Sequence, residues 1–181
     1  MESRLSLAKY DTQLWTRPMA VEPRRELNNL LSEIGPGDVV VVDLKGVETF
    51  DFSFANEFFG KTALSLSKEH PDRFLVVENL TEYTRENLNE TLEGLKTAMI
   101  ERRDGEVAIL GKIHPAYLET FHLIVGSEEP ITAGEVSEYM QINITAANER
   151  LTKLLGIGLI RREKGISDSG RELFRYSTVP R

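Results

Sequence analysis

The stretch from Ile131 to Arg175 constrains the fold of this chain more than any other part of its sequence. Thr132 and Glu135 have the spacing of a capping box, which predicts the start of a helix. Apolar residues at helical spacing then predict two short helices, and Gly156 and Gly158 mark the end of the second one. Two alternating segments around a Gly-containing turn follow. This pattern predicts a helix-turn-helix motif with a two-stranded wing behind it.

The second helix of this motif carries polar side chains on the side that its apolar stripe leaves free. Helix-turn-helix proteins place this helix in the major groove of DNA, where exposed side chains meet base edges. Thr145, which is also the expected N-cap, Asn148 and Thr152 are the expected base contacts. We expect Arg150 and Lys153 to lie closer to phosphates.

The wing is basic, whereas the rest of the chain is acidic. Residues 149–175 hold seven Lys and Arg against four Asp and Glu, a net charge of +3, and residues 1–112 hold 14 against 20, a net charge of −6. The wing residues expected to neutralise phosphates are Arg161, Arg162, Lys164, Arg171 and Arg175. A basic end on an acidic protein suits a polyanionic partner at that end. The alternative is an ordinary solvated surface.

Composition excludes several classes of function. The chain has 181 residues and no cysteine, so disulfides, thiol catalysis and the common structural zinc sites are excluded. No apolar run is long enough to cross a bilayer and the first residues lack the apolar core of a signal peptide, so we expect a cytoplasmic protein. The three histidines show no ligand spacing, and neither a glycine-rich phosphate loop nor a nucleophile–base arrangement is present. We therefore expect no metal, no cofactor and no enzymatic activity.

Residues 1–112 alternate between predicted strands and helices, which is typical of an α/β domain. The predicted strands are Arg4–Tyr10, Gln13–Arg17, Val39–Leu44, Arg73–Val77 and Val107–Leu110, and the predicted helices are Arg24–Ile34, Ser53–Lys68 and Thr84–Arg102. The continuous valine run of the third strand predicts a strand that is covered on both faces. A further helix at 114–125 would cover the helix-turn-helix, so we divide the chain into domains 1–112 and 113–181.

The C-terminal segment resembles bacterial and archaeal winged-helix transcriptional regulators. The residues that carry the resemblance are Val136, Ala147, Leu151, Leu154 and the run Gly158-Leu159-Ile160-Arg161-Arg162. The resemblance implies a small α+β winged helix-turn-helix domain that binds double-stranded DNA. Winged helices also serve as protein-binding modules, and Glu149 beside the expected DNA surface is unfavourable for DNA.

The N-terminal region resembles the STAS-like domain related to anti-sigma-factor antagonists, an α/β domain with a mixed sheet and helices. The resemblance rests on Val39–Asp43, Val47–Asp51 and Ser53–Phe58. In the antagonists, an Asp-Ser-Ser/Thr-Gly motif opens a helix, and a partner ATPase-like kinase phosphorylates its second hydroxyl. Asp51 and Ser53 match that motif, while the two phenylalanines beside Ser53 depart from it. The resemblance implies that Ser53 is a candidate phosphosite, and its alternative role is that of a helix N-cap.

Together these patterns predict a two-domain regulator. The STAS-like domain would sense a signal or dock a partner, either kinase-like or otherwise regulatory, and the winged helix would bind DNA. We expect a homodimer because palindromic DNA sites favour two-fold symmetric proteins. The competing hypothesis is a non-enzymatic adaptor that uses both domains, the winged helix included, to bind proteins.

Overall fold

The computed structural model describes residues 1–167 and 169–179, and its N-terminal half is built on a five-stranded sheet. The strands, in spatial order, are β1 (Glu2–Ser6), β3 (Val39–Asp43), β5 (Phe74–Glu78), β6 (Ala98–Arg103) and β7 (Glu106–Gly111). The first four are parallel, and β7 runs antiparallel to β6. A separate pair is formed by β2 (Gln13–Leu14) and β4 (Thr49–Phe50). This mixed α/β arrangement, dominated by parallel pairing, is consistent with a STAS-like domain.

Helices cover one face of this sheet. They are α1 (Arg17–Glu33), a continuous helical segment made of α2 (Phe52–Ala55), a π-helical turn (Asn56–Gly60) and α3 (Lys61–Glu69), and α4 (Glu82–Gly94). Four phenylalanines pack between the helices and the sheet, and the rings of Phe58 and Phe59 meet edge to face with centroids 4.7 Å apart. Because large aromatic side chains bury more area than other residues, this cluster accounts for much of the core on this side.

The C-terminal half contains α5 (Pro115–Gly126), β8 (Ile131–Thr132), α6 (Ala133–Tyr139), α7 (Ile144–Ile157), β9 (Arg161–Ile166) and β10 (Glu172–Ser177). β10 lies between β8 and β9 and pairs antiparallel with both. The predicted capping box is confirmed, since Thr132 N donates to Glu135 Oε2 (2.7 Å) and Glu135 N donates to Thr132 Oγ1 (3.2 Å). The predicted hairpin is also confirmed, although Asp168 in its turn lies outside the described residues.

The outer face of the five-stranded sheet is covered by the C-terminal half. Val41, Phe74, Val76 and Ile100 point away from α1 to α4 and belong to one buried cluster with side chains of α5, α6 and α7. Val41 and Val76 have no solvent exposure. The prediction that the Val39–Leu44 strand is covered on both faces is therefore confirmed, and the two halves of the chain share a hydrophobic core.

Polar contacts also join the two halves around the ends of α3 and α7. Ser67 Oγ of α3 donates to the carbonyl oxygen of Gly156 (2.6 Å). Gly158 has φ of +85°, ends α7 and lies against Leu66, so that a side chain at this position would be both strained and crowded. These contacts fix the end of α7 against the N-terminal half.

The predicted helix Thr84–Arg102 is wrong in its second half. The helix ends at Gly94, Lys96 takes a left-handed conformation with φ of +54°, and β6 begins at Ala98. Met99 continues the helical spacing of the leucines before it, but it reaches the same core from a strand. The predicted strand Arg4–Tyr10 is likewise too long, since β1 ends at Ser6 and a 3₁₀ turn follows.

Candidate nucleic-acid interface

The second helix of the predicted helix-turn-helix is α7, and its caps differ from the expectation. Asn143 is the N-cap, because its Oδ1 accepts a hydrogen bond from Ala146 N (2.8 Å). The predicted cap, Thr145, is therefore wrong: it lies inside the first turn of the helix, with an exposed side chain. The stronger N-cap residue, asparagine, is placed where its oxygen reaches the free N–H groups of the first turn.

The predicted base-contacting residues share one exposed side of α7. Thr145, Asn148 and Thr152 recur at helical spacing and are exposed, and Lys153 is exposed beside them. The opposite side of the helix, which carries Ala147, Leu151 and Leu154, is fully buried. The amphipathic pattern therefore presents a row of neutral polar side chains to solvent.

The β9–β10 hairpin presents a basic face. Arg162 is opposite Tyr176 and Lys164 is opposite Phe174, so these side chains lie on the same face of the hairpin. The guanidinium carbon of Arg162 lies 4.7 Å from the centroid of the Phe174 ring. This cation–π contact keeps the Arg162 charge on the exposed face. Phe174 was not predicted as part of this surface, although the alternation along β10 places its side chain on the same face of the hairpin as Lys164.

One residue from the exposed side of α7 and one from the basic face of the hairpin line the same groove. A cavity of about 300 Å³ is lined by Thr152 and Leu155 of α7, by Arg162 of β9 and by the turn between α3 and β5. In that turn Asp72 accepts a hydrogen bond from the main-chain N of Arg162 (3.4 Å). The N-terminal half therefore forms the far wall of the groove.

Two further basic residues project from the hairpin into solvent. Lys164 and Arg171 are exposed, and neither has an ion-pair partner among the residues that the structure describes. The main-chain N of Arg171 donates to Ser167 Oγ (3.0 Å), which fixes the backbone on one side of the turn. Their charges are available to a ligand at the hairpin surface.

Three of the predicted basic residues lie elsewhere and are half-buried: Arg150, Arg161 and Arg175. Arg150 and Arg175 donate to main-chain carbonyl oxygens of Ala116 and Pro130, each at 3.4 Å. Arg161 packs against the turn before β3 and donates to the Ser177 hydroxyl (3.0 Å). The structure thus separates these three from the exposed side of α7 and engages them in internal contacts.

The predicted N-terminal site at Ser53 lies in the first turn of α2. Asp51 is the N-cap of this helix, since its Oδ1 accepts a hydrogen bond from Phe54 N (2.8 Å). The alternative role of Ser53 as the N-cap is therefore wrong. Ser53 is half-buried, and its hydroxyl has no hydrogen-bond partner in the described part of the chain.

Three segments that meet near this helix start each carry an exposed aromatic residue. Phe52 is 60% exposed, and Trp15 and Tyr83 are 45% and 54% exposed. The main-chain N of Asp51 donates to the residue before Trp15 (3.0 Å), and Asn87, one turn after Tyr83, donates to the main chain of β4 (3.1 Å). Three segments thus bring aromatic rings to the neighbourhood of Ser53. This surface was not predicted from the sequence. Its only sequence signal is that these aromatic residues lie outside the apolar stripes of the predicted elements.

A cavity of about 790 Å³ lies at the carboxyl ends of β5 and β6 and is lined by charges that are paired with one another. Arg85 binds the buried carboxylate of Glu101 at 2.7 Å, and this hydrogen bond raises the pKa of Arg85. Arg102 binds Glu78 at 2.6 Å. Over residues 1–167 and 169–179, no group of three or more acidic or histidine side chains is arranged to hold a metal ion.

Comparison with known families supports the N-terminal part of the interpretation. Residues 24–85 match the family model described as a STAS-like domain of unknown function (DUF4325). This segment is STAS-like. It runs from within α1 to the first turn of α4 and includes Ser53, Phe52 and Tyr83, whereas Trp15 lies before it. No curated protein matches the chain.

Among the described residues, no helix combines the length and the apolar character needed to cross a lipid bilayer.

Proposed function

We propose that this chain is a DNA-binding transcriptional regulator whose C-terminal half is a winged helix-turn-helix domain. The order helix, strand, two helices and hairpin, with β8 completing a three-stranded sheet, supports the winged-helix assignment. The observation that carries the proposal is the groove lined both by Thr152, from the polar side of α7, and by Arg162, from the basic face of the hairpin. Double-stranded DNA offers base edges to the helix and phosphates to the hairpin.

The exposed residues suggest how DNA is contacted. With α7 in the major groove, Asn148 is suited to a bidentate hydrogen bond with adenine, and Thr145 and Thr152 to hydrogen bonds or to thymine methyl groups. Lys164 and Arg171 would neutralise phosphates along the hairpin. The half-buried Arg150, Arg161 and Arg175 would act by holding the domain together. The exposed members of the ten residues expected from sequence are thus the ones that would touch DNA, and the Asn148 amide, which donates to the carbonyl oxygen of Ile144 (3.0 Å), would turn towards the base.

A binding assay with matched charge reversals tests this proposal. DNA selected from a random library is titrated with the wild-type protein and with the variants Lys164→Glu and Lys45→Glu, both at exposed lysines. Because Lys45 lies on the N-terminal half, away from the groove, we expect Lys45→Glu to keep the DNA affinity within about twofold of the wild-type value. Lys164→Glu removes one phosphate contact and adds a repulsive charge, so we expect affinity to fall at least tenfold. Equal affinity for the two variants contradicts the assignment of the hairpin to DNA.

We also propose that the STAS-like half docks a protein partner at the surface around Ser53. Exposed Phe52, Trp15 and Tyr83 supply apolar area of the kind that interfaces use. Phosphorylation of Ser53 would add charge in the first helical turn, where the helix dipole favours an anion and the carboxylate of Asp51 repels it. The modification would change both the charge and the hydration of the docking surface.

Intact-mass measurement of protein purified from its native host tests the phosphosite. We expect a fraction that is heavier by one phosphate under some growth conditions, with fragmentation placing it on Ser53. A Ser53→Ala variant should lose the heavier species, and Ser65→Ala, at a serine of α3 that is half-buried like Ser53, should keep it. An unmodified mass under every growth condition counts against the phosphosite.

A second function, as a protein-binding adaptor, is favoured by apolar side chains on the C-terminal half. Ile166 and Tyr139 are 71% and 70% exposed, and Ile144 and Phe174 are partly exposed on the same domain. Glu149 on α7 adds a negative charge next to the proposed DNA surface. Stoichiometric recovery of one protein, together with no DNA binding at low salt, selects the adaptor over the regulator.

A further inference from the structure

The strand β7 forms one edge of the five-stranded sheet, and the outward backbone groups of its central residues are unpaired. Asp104 and Gly105 both have positive φ and form the two-residue turn between β6 and β7. The residues that flank such a turn are hydrogen-bonded to each other, so Glu106 pairs inward and the alternation turns Val107 and Ile109 outward. Across the described residues, no hydrogen bond reaches the outward N–H or C=O groups of these two.

The two edges of the sheet differ in how well they are protected against pairing. The edge strand β1 carries Glu2 and Arg4, which form ion pairs across the sheet. Between Glu106 and Gly111, β7 has four apolar residues in succession from Val107 to Leu110, and this central run has no charge, proline or bulge. Natural proteins protect exposed edges with such devices, and an unprotected apolar edge is a template for another strand. Asn89 of α4 accepts a hydrogen bond from Gly111 N (2.8 Å) at the far end of β7, whereas Ala108 in its centre is exposed, so the central part of this edge stays open.

We propose that β7 pairs antiparallel with β7 of a second copy of this chain, in a register centred on Ile109. In this register Ile109 faces its own counterpart, and the pairing, continued one residue past the end of β7, puts Glu106 of each copy opposite Lys112 of the other. Both are exposed, and neither forms an ion pair within the part of the chain that the structure describes. The register therefore creates two opposite-charge cross-strand pairs. Shifting the centre by one residue towards the turn, to Ala108, loses both of them.

This pairing is self-complementary, and it orients the two C-terminal halves. Each copy contributes one free N–H and one free C=O at Ile109, which together form two central hydrogen bonds, and a free N–H at Val107, which lies opposite the carbonyl of Gly111 in the other copy. The two-fold axis is perpendicular to the joined ten-stranded sheet, because residues facing each other across the pair point to the same side. Both C-terminal halves consequently lie on one side of that sheet. The inference does not depend on DNA binding, but it provides the symmetry that a palindromic site requires.

The first experiment measures oligomeric state without DNA. We expect analytical ultracentrifugation of the full chain to give a species of twice 20.5 kDa at micromolar concentrations. Glu106→Lys or Lys112→Glu alone puts like charges opposite each other at two places and should weaken dimerisation about tenfold. The double variant should restore the wild-type dissociation constant. Glu90→Lys, the same charge change at an exposed position of α4, is the matched control and should leave the dimer unchanged.

The second experiment tests the register. The chain has no cysteine, so Glu106→Cys and Lys112→Cys can each be introduced alone. In the proposed register the two positions form a pair that is not hydrogen-bonded, with Cα atoms about 4.5 Å apart, within the range of a disulfide. A mixture of the two variants should form a disulfide-linked dimer on oxidation. Each variant alone should stay unlinked, because identical positions are then about 20 Å apart.

Three results overturn the proposal. One is a wild-type protein that stays monomeric throughout the micromolar range. Another is a dimer whose dissociation constant is unchanged by either single charge reversal. The last is cross-linking of Glu106→Cys with itself but not with Lys112→Cys. Failure of DNA binding changes none of these readouts, so the two proposals can fail separately.

Discussion

Replacing Phe74 by alanine should destabilise both halves of the chain together. Phe74 is 1% exposed, starts β5 and packs into the core that the outer face of the sheet shares with α5, α6 and α7. Removing a buried phenylalanine side chain costs about 3–5 kcal/mol, because apolar contacts are lost and a cavity remains. For a chain of this length, that corresponds to a fall in Tm of roughly 6–20 °C. Since domains are stable by about 5–15 kcal/mol, much of the total stability would be lost.

Thermal unfolding followed by circular dichroism gives the size of this effect, and hydrogen exchange shows where it acts. We expect the slowest amides of β3 and those of α7 to lose the same free energy of protection, since both depend on one core. Phe52→Ala is the matched control: Phe52 is 60% exposed, so we expect a change within about 0.5 kcal/mol. The reasoning is refuted if α7 keeps its wild-type protection while β3 loses it, because the halves would then unfold independently.

Three further perturbations follow from local structure. Asn143→Ala removes the cap of α7 and should cost about 1 kcal/mol in chemical denaturation, whereas Thr145→Ala should cost less. Glu101→Gln leaves the half-buried Arg85 guanidinium without its carboxylate partner and should lower the free energy of unfolding by about 2–3 kcal/mol. This cost is below that of breaking a fully buried ion pair, because the Arg85 side chain remains partly exposed to solvent. Burial, with the nearby positive charge of Arg73, lowers the pKa of His70. The folded state therefore binds a proton at His70 less tightly than the unfolded state does. The stability that neutral His70 contributes is present above its unfolded pKa near 6.5 and is lost as the pH falls through its folded pKa. Wild-type Tm should consequently fall more than that of His70→Asn between about pH 7.5 and pH 5.5.

Sequence periodicity predicted the elements whose apolar faces are clear. The capping box at Thr132, the hairpin after α7 and the buried strand at Val39 were each specified by residues close together in the chain. The helix predicted to Arg102 failed because Met99 keeps helical spacing while Lys96 breaks the backbone. A single left-handed residue is set by its turn and by strand pairing, which local spacing does not reveal.

The arrangement of the two halves was not predictable from the sequence. The valine run in β3 indicated that both faces of the strand are covered, but not that one cover is the C-terminal half. Likewise, the prediction from sequence assigned the same phosphate-binding role to all basic residues of the predicted wing. Only the fold distinguishes Arg161, held against the turn before β3, from Lys164, which is exposed. The alternative role predicted for Ser53 was the N-cap of α2. Asp51 was equally suited to this role by its side chain, and it lies at the position where the helix starts.

The salt dependence of DNA binding tests the central proposal most directly. The logarithm of the binding constant should fall linearly with the logarithm of salt concentration, by about 0.9 for each phosphate neutralised. The double variant Lys164→Gln and Arg171→Gln removes two exposed charges of the hairpin and should reduce this slope by about 2, while Lys45→Gln should leave it unchanged. A wild-type protein that does not bind DNA at low salt, or a slope that the double variant leaves unchanged, contradicts the proposed use of the hairpin.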